Sequence, residues 1–280
     1  MTTVHEPADR TVDFDVRRHL SGLAGSLAGP ANVIMQLSWP GVGYGVKDSK
    51  VDSGSAMKHP VKRARTTFTY LAVSLLGDEQ DIKVFRRAVN RQHAQVRSDA
   101  DSPVQYSAMD PRLQLWVAAC LYYGTADLIA RMRGPLDDAE ADALYAHCAR
   151  FGTSLQVRPE MWPADREAFD AYWEQSLAGV SIDEPVRDYL MGLIGHRNLP
   201  RPFQRALTPF NTFVTTGFLP PVFREAMGLS WDDAQQARFD QLLHRLGRLE
   251  RRMPTAVRIF PFNVLLKDMR KRHREGRPLV

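Results

Sequence analysis

Hydrophobic positions recur at helical spacing along most of the chain, whereas strictly alternating strand patterns are scarce. In the segment DIKVFRRAVNRQHAQVR the apolar residues Phe85, Val89 and Val96 fall on one face at intervals of four and seven. His93 follows Val89 by four residues and therefore lies on the same inward face. This pattern predicts an amphipathic helix that carries a histidine on its apolar side.

Proline, glycine and aspartate predict where further helices begin and end. Pro60 is placed to open a helix through KRARTTFTYLAVSLLG and Gly77 to close it. Asp81 is placed to cap the next helix, and Pro111 to start an apolar one through LQLWVAACLYY. The glycine-rich stretch GVGYGVKDSKVDSG predicts a loop. With about eight to ten helices and no internal repeat, the chain is predicted to be one all-α domain.

The two ends differ from this body. Residues 1–20 are polar and unpatterned and are predicted to form a flexible N-terminal arm, residues 21–265 the helical domain, and residues 266–280 a basic C-terminal tail. The net charge of +5 is concentrated near that tail, because residues 241–280 hold 11 Lys/Arg against 3 Asp/Glu, a local +8. The preceding 240 residues therefore sum to −3, and no nucleic-acid partner is expected. The tail is either a solvated helix end or a site of peripheral contact with an anionic membrane.

The chain has the composition of a globular protein, with 44% hydrophobic and 25% charged residues. No apolar run reaches the roughly 18 residues that cross a bilayer, and the first residues contain acids where a signal peptide has a basic region and an apolar core. We therefore expect a cytoplasmic protein whose two cysteines, Cys120 and Cys148, are reduced.

Two groups of residues are candidates for chemistry. His93 is either a hydrogen-bonded core histidine or an axial ligand to haem iron, which requires a neutral imidazole directed into an apolar pocket. Arg63 and Thr67 are four residues apart and share a helix face that Leu71 continues. An arginine on a buried face is costly unless an anion or a polar ligand meets it; the alternative is a solvated basic stripe at a helix start. Nucleotide-binding glycine motifs are absent from the sequence.

Several segments together resemble the latex-clearing protein and MpaB-type oxygenases, a family of haem proteins. The segments, in order, are IMQLSWPGVGYGV, HPVKRARTTFTYLAVSLLG, FRRAVNRQHAQVRSD, VQYSAMDPRLQLWVAACL, FLPPVFREAMGLSW and RRMPTAVRIFPF. They extend over nearly the whole chain, and their order and spacing are more specific than any single motif.

The resemblance implies a helical fold with a globin-like core around haem b. His93 matches the family's proximal iron ligand, and Arg63 and Thr67 match the distal arginine and threonine of its R-x-x-x-T pattern. Arg97, one turn after His93, is a candidate for binding a haem propionate. The sequence has no C-x-x-C-H motif, so covalent attachment of the haem is not expected.

The chain departs from the rubber-cleaving members at two positions. Thr66 stands where those members carry a lysine that can ligate the iron from the distal side. Those members also use a glutamate upstream of the arginine as a base, whereas here the nearby carboxylates are Asp48 and Asp52. Both departures argue against rubber cleavage.

The resemblance thus implies a haem-dependent oxygenase or related oxidoreductase that acts with dioxygen on a small apolar substrate, such as an isoprenoid, a lipid or a natural product. Two alternatives stay open from the residues alone. One is a haem-binding sensor or carrier without turnover, and the other is a helical binding module that uses its basic tail. The sequence does not determine the substrate, the reductant or the oligomeric state.

Overall fold

The computed structural model describes residues 14–51 and 54–280 and shows an all-α chain within these ranges. The α-helices are α1 (Gly22–Leu37), α2 (Pro40–Lys47), α3 (Pro60–Leu76), α4 (Glu79–His93), α5 (Pro111–Arg133), α6 (Asp138–Cys148), α7 (Arg150–Thr153), α8 (Arg166–Leu177), α9 (Glu184–Ile194), α10 (Arg201–Phe218), α11 (Pro221–Met227), α12 (Asp233–Glu250), α13 (Thr255–Arg258) and α14 (Phe262–Arg274). The described ranges hold no β-strand, only an isolated bridge between Arg97 and Ser107. The predicted all-α character is confirmed, and the helices exceed the expected number because several of them are short.

Helix α5 forms the centre of the core and packs against α1 and α12. Its Trp116 is fully buried and stacks on Trp39 and Trp173, with ring centroids 4.9 and 5.3 Å away. The indole N–H of Trp116 donates to the carbonyl of Gln36 at 3.1 Å, which ties α5 to α1. By length and composition alone α5 is also apolar enough to cross a bilayer, but half of it is buried inside the protein.

Most predicted helix boundaries are close to the observed ones. Helix α3 begins at Pro60 and ends before Gly77, as expected. The cap of α4 is Asp78 rather than Asp81: the Asp78 carboxylate accepts from the backbone N–H of Asp81, and the Asp81 carboxylate accepts from that of Asp78. This reciprocal pair satisfies two backbone donors that a helix start leaves free.

The prediction of a loop over residues 41–54 was wrong for its first half, because Pro40–Lys47 forms α2, whereas residues 48–51 lie outside the helices. The glycines of α2 serve close packing instead of turns. A Cβ on Gly43 would stand 2.7 Å from the carbonyl oxygen of Leu37, and one on Gly45 would stand 3.4 Å from the ring of Tyr106. The same glycines are compatible with a loop and with a closely packed helix, since glycine permits turns and close backbone contacts alike.

Both ends of the described part of the chain contact the core. Residues 1–13 of the predicted arm lie outside the described residues, whereas Val16, His19 and Leu20 are buried. The segment 266–280 begins inside α14, which packs along α3 and buries Leu266 and Met269. Much of the expected basic tail is therefore the outer face of a packed helix.

Candidate functional site

Helix α4 places His93 at its C-terminal end. Phe85 and Val89 bury the apolar face of α4, and His93 is the last residue of the helix, one turn beyond Val89. Both Val89 and His93 line a large internal cavity. The amphipathic pattern thus fixes which way the imidazole points.

The imidazole of His93 is held in a setting that favours its neutral form. Its Nδ1 atom is buried and has no hydrogen-bond partner among the described residues. Burial and the positive charge of Arg63 lower the pKa of His93 to about 4. At neutral pH the ring is therefore uncharged and has a lone pair available for a ligand.

Helix α3 brings Arg63 and Thr67 to the same cavity. These residues and Leu71 lie at intervals of four along α3, and all three line the cavity. Arg63 and Thr67 keep accessible surface, although burial lowers the pKa of the Arg63 guanidinium. These two facts agree if the accessible surface faces the cavity inside the protein and not the outer solvent.

Arg63 has no acidic partner in the described part of the chain, where none of the ion pairs includes it. The group that acts on its charge is Tyr189 of α9, a half-buried residue that also lines the cavity. A cation at a mainly apolar cavity wall, with no acidic partner beside it, is stabilised by an anion or a polar ligand. The arrangement provides a fixed positive charge on the cavity wall close enough to lower the pKa of His93.

The cavity has a volume of about 680 Å³, within the range of sites that hold cofactors and small ligands. Its wall is mainly apolar and comes from α1, α3, α5 and α9. Among the apolar lining residues are Ile34, Leu71, Val117, Leu121, Phe151 and Leu190. Such a wall favours the binding of an apolar molecule.

A metal ion held by protein side chains alone is not indicated. The described residues contain no group of three or more His, Cys, Asp or Glu side chains that could hold one. A lone histidine with an unpaired nitrogen suits instead a metal whose other ligands come from a prosthetic group. The unpartnered and neutral imidazole of His93 is compatible with such a ligand role.

Several candidates from the sequence do not reach the cavity. Arg97 is exposed, follows the end of α4 and is not part of the cavity lining. Asp48 is exposed, pairs with Lys47 at 2.6 Å and is also absent from the lining, while Asp52 lies outside the described residues. Thr66 does line the cavity, but its hydroxyl donates to the backbone carbonyl of Lys62 at 3.0 Å.

The structure adds lining residues that the sequence reasoning missed. Tyr189, His196, Asn198 and Asn211 come from α9, α10 and the turn between them. His196 has a positive φ of 51°, a conformation uncommon for residues other than glycine. No sequence pattern connects this region to α3 and α4, because only the packing of distant helices brings it to the cavity.

Comparison with known proteins gives one family match. Residues 16–249 match the family model described as "ER-bound oxygenase mpaB/B'/Rubber oxygenase, catalytic domain". The chain is 55% identical over 250 residues to an uncharacterized protein of Mycobacterium bovis and equally to one of Mycobacterium tuberculosis. Each alignment covers 89% of this chain and 98% of the relative. No solved structure matches the chain at a significant level.

Proposed function

Because the chain belongs to the mpaB and rubber oxygenase catalytic-domain family, we propose that it is a haem b-dependent oxygenase that acts with dioxygen on a small apolar substrate. The observation that carries this proposal is that His93 and Arg63 line the same mainly apolar cavity. A neutral imidazole with a free nitrogen and an unpartnered guanidinium both border the cavity. An apolar cavity without a ligand would gain no stability from either group.

His93 would hold the haem iron from the end of α4. Burial keeps its ring neutral, so no proton has to be displaced at neutral pH before the nitrogen coordinates. Haem, when bound, supplies the redox-active iron that dioxygen chemistry requires. A globin-like arrangement of helices around the group belongs to the same proposal.

Arg63 and Thr67 would act on the side of α3. The guanidinium offers several donors and a permanent charge, and the hydroxyl of Thr67 offers one further donor a helical turn away. Donors fixed in an apolar surrounding stabilise negative charge that develops on dioxygen, because they need little reorganisation during the reaction. The apolar wall would hold the substrate beside them and exclude water.

Thr66 separates this chain from rubber-cleaving members with a lysine at that position. Threonine carries no amine, so position 66 itself supplies no nitrogen ligand; its hydroxyl donates to the backbone carbonyl of Lys62, another residue of α3 that lines the cavity. We propose an open distal side and a substrate other than rubber.

Spectroscopy of the purified protein, with added haem where needed, tests the cofactor. We expect a Soret band that shifts on reduction and again on addition of carbon monoxide, since an open coordination position binds that gas. His93→Ala should lose this spectrum, whereas His244→Ala, an exposed histidine on α12, should keep it. Absence of a Soret band in the reconstituted wild type would refute haem binding.

Oxygen consumption tests the reaction. With a reductant and a panel of alkene-bearing apolar compounds, the wild type should consume dioxygen, and Arg63→Met should consume it at least about 100-fold more slowly. A protein that binds haem but turns over no compound of the panel would instead be a sensor or a carrier.

A further inference from the structure

The turn between α9 and α10 (residues 195–200) divides its side chains between two sides. His196 and Asn198 line the cavity. Gly195 and Arg197 line a second groove, and Arg197 is exposed. This alternation along the turn indicates that the imidazole of His196 and the amide of Asn198 are directed towards the cavity.

Hydrogen bonds hold this turn in one conformation. Three side chains of α10 donate to backbone carbonyls of residues 194–199 at 2.7, 3.0 and 2.7 Å, namely those of Gln204, Thr208 and Asn211. Within the turn, the backbone N–H of Leu199 donates to the carbonyl of His196 at 2.8 Å. A turn that is fixed in this way also fixes the direction of the side chains that it carries.

His196 has a backbone conformation that a histidine adopts at a cost. Its φ of 51° lies in the left-handed region, where glycine has no steric penalty. No other residue in the described part of the chain, glycines apart, has a positive φ. Strain of this kind persists where the surrounding structure enforces it, and it is concentrated at ligand sites. A glycine would fit here without strain, so a role for the imidazole itself would explain its presence.

The polar atoms at this end of the cavity can accept a ligand. The side chains of His196 and Asn198 make no hydrogen bond to another described residue. Asn211 also lines the cavity and uses only its Nδ2 atom, which donates to the carbonyl of Ile194 at 2.7 Å. We define the polar subsite as His196, Asn198 and Asn211. The adjoining wall includes Leu193, so the subsite borders an apolar surface.

We propose that the polar subsite selects a substrate with a hydroxyl group at one end of an apolar chain. This inference rests on the proposed function, in which the cavity takes an apolar substrate, and it adds the substrate class and His196 as the residue that recognises it. A hydroxyl donates and accepts, which matches an imidazole and two amides. A cationic group would lack a counter-ion, because residues 189–224 contain no Asp or Glu.

The subsite discriminates through the cost of unpaired polar groups. A hydrocarbon chain that fills this end of the cavity would remove water from the three side chains and offer them no hydrogen bond in return. Sites built to bond a hydroxyl reject an analogue that lacks it for this reason.

Equilibrium dialysis of the purified full chain, read by gas chromatography, tests the subsite with two probes. Geraniol carries a terminal hydroxyl on an isoprenoid chain, and the diene hydrocarbon of the same skeleton lacks it. The wild type should bind the alcohol at least about tenfold more tightly than the hydrocarbon. No reductant is added, so the result does not depend on turnover.

His196→Gly separates a ligand contact from a structural role. The variant removes the imidazole and relieves the backbone, so its melting temperature should be at least that of the wild type. Its preference for the alcohol should nevertheless fall at least about fivefold, while its affinity for the hydrocarbon is unchanged. His196→Asn tolerates the same backbone and keeps hydrogen-bonding atoms, so it should retain part of the preference. His244→Ala, on the exposed side of α12, should retain all of it.

Three results would overturn the proposal. The wild type binds both probes equally, the wild type binds neither, or His196→Gly keeps the full preference for the alcohol. A His196→Gly protein that melts lower and loses both probes would assign His196 to the fold instead, and one that loses the haem spectrum would assign it to the cofactor. A wild type that fails to bind haem but prefers the alcohol would refute the oxygenase and leave the subsite standing.

Discussion

The C-terminal helix α14 stabilises the start of the helix that carries His93, and this contact yields a quantitative prediction. Arg270 of α14 donates from Nε and Nη2 to the carboxylate of Asp81 at 2.6–3.1 Å. The Asp81 side chain is 8% exposed and the Arg270 side chain 42% exposed. The same carboxylate accepts the backbone N–H of Asp78 at 3.0 Å as half of the α4 capping box.

The cost of removing Asp81 follows from these contacts. Breaking an exposed ion pair costs up to about 1 kcal/mol, and breaking a buried one costs about 3–5 kcal/mol. The Asp81–Arg270 pair is intermediate in burial, so we take about 2 kcal/mol for its loss. The lost capping bond adds about 1 kcal/mol. Asp81→Ala should therefore lower the free energy of unfolding by about 3 kcal/mol, and the melting temperature of a chain of this size by about 5 °C.

A double-mutant cycle measures the pair separately from the cap. Asp81→Ala, Arg270→Gln and the double variant are unfolded in urea at pH 7, and the coupling energy should be about 2 kcal/mol. Burial by itself would raise the pKa of Asp81, but the hydrogen bonds from Arg270 and the Asp78 backbone hold it below its ordinary value. The carboxylate is thus ionised at pH 7, and its contribution is lost only as the pH falls through that lowered pKa.

The same cycle has a control and a result that would refute the reasoning. Asp78→Ala removes the other half of the capping box and should cost about 1 kcal/mol with little coupling to Arg270, from which it is 3.4 Å away. A coupling energy below about 0.5 kcal/mol between Asp81 and Arg270 would show that the contact behaves as a solvated surface pair.

Three further predictions follow from single side chains. Arg63→Met should leave unchanged, or raise by up to about 0.5 kcal/mol, the free energy of unfolding of the cofactor-free protein in urea titration, because it removes a cation with no acidic partner among the described residues; a strongly destabilised variant would contradict the assigned setting. Gly43→Ala should lower the free energy of unfolding by about 2 kcal/mol, because its Cβ would stand 2.7 Å from the Leu37 carbonyl oxygen. Gly29→Ala is the control, since no atom lies within 4 Å of its added Cβ. It should raise the free energy of unfolding by about 0.5–1 kcal/mol in the same titration, because alanine favours the helix α1. The hydrogen bond to Asp183 raises the pKa of Tyr44 to about 12, whereas an unfolded tyrosine loses its proton near pH 10. The stability of the wild type should therefore fall more steeply between pH 10 and 12 than that of Tyr44→Phe, as followed by thermal melts.

Local patterns were sufficient for the helices that carry the candidate site. The spacing of Phe85, Val89 and His93 fixes the side of α4 on which the imidazole lies, and Pro60 and Gly77 fix the ends of α3. Arg63 and Thr67 share a face for the same reason. Each of these predictions needs only neighbours within a few residues.

Where one pattern allows two structures, the sequence reading failed. The glycines after Trp39 predicted a loop and instead permit α2 to pack closely. Asp78 and Asp81 both suit a helix start. Asp78 is the observed cap, and the carboxylate of each residue accepts the backbone N–H of the other. The basic end has the composition of a solvated tail, yet Leu266 and Met269 hold it on α3.

The sequence by itself determined an all-helical chain, the inward direction of His93 and the shared face of Arg63 and Thr67, because helical periodicity acts over a few residues. Only the tertiary structure decided that these faces meet at one apolar cavity, that Arg97 and Asp48 stay outside it, and that Tyr189 acts on Arg63. It also left Phe203, Leu207 and Phe210 of α10 exposed. The physical reason is that burial, pairing and exposure depend on contacts between residues far apart in the chain, which no local pattern encodes.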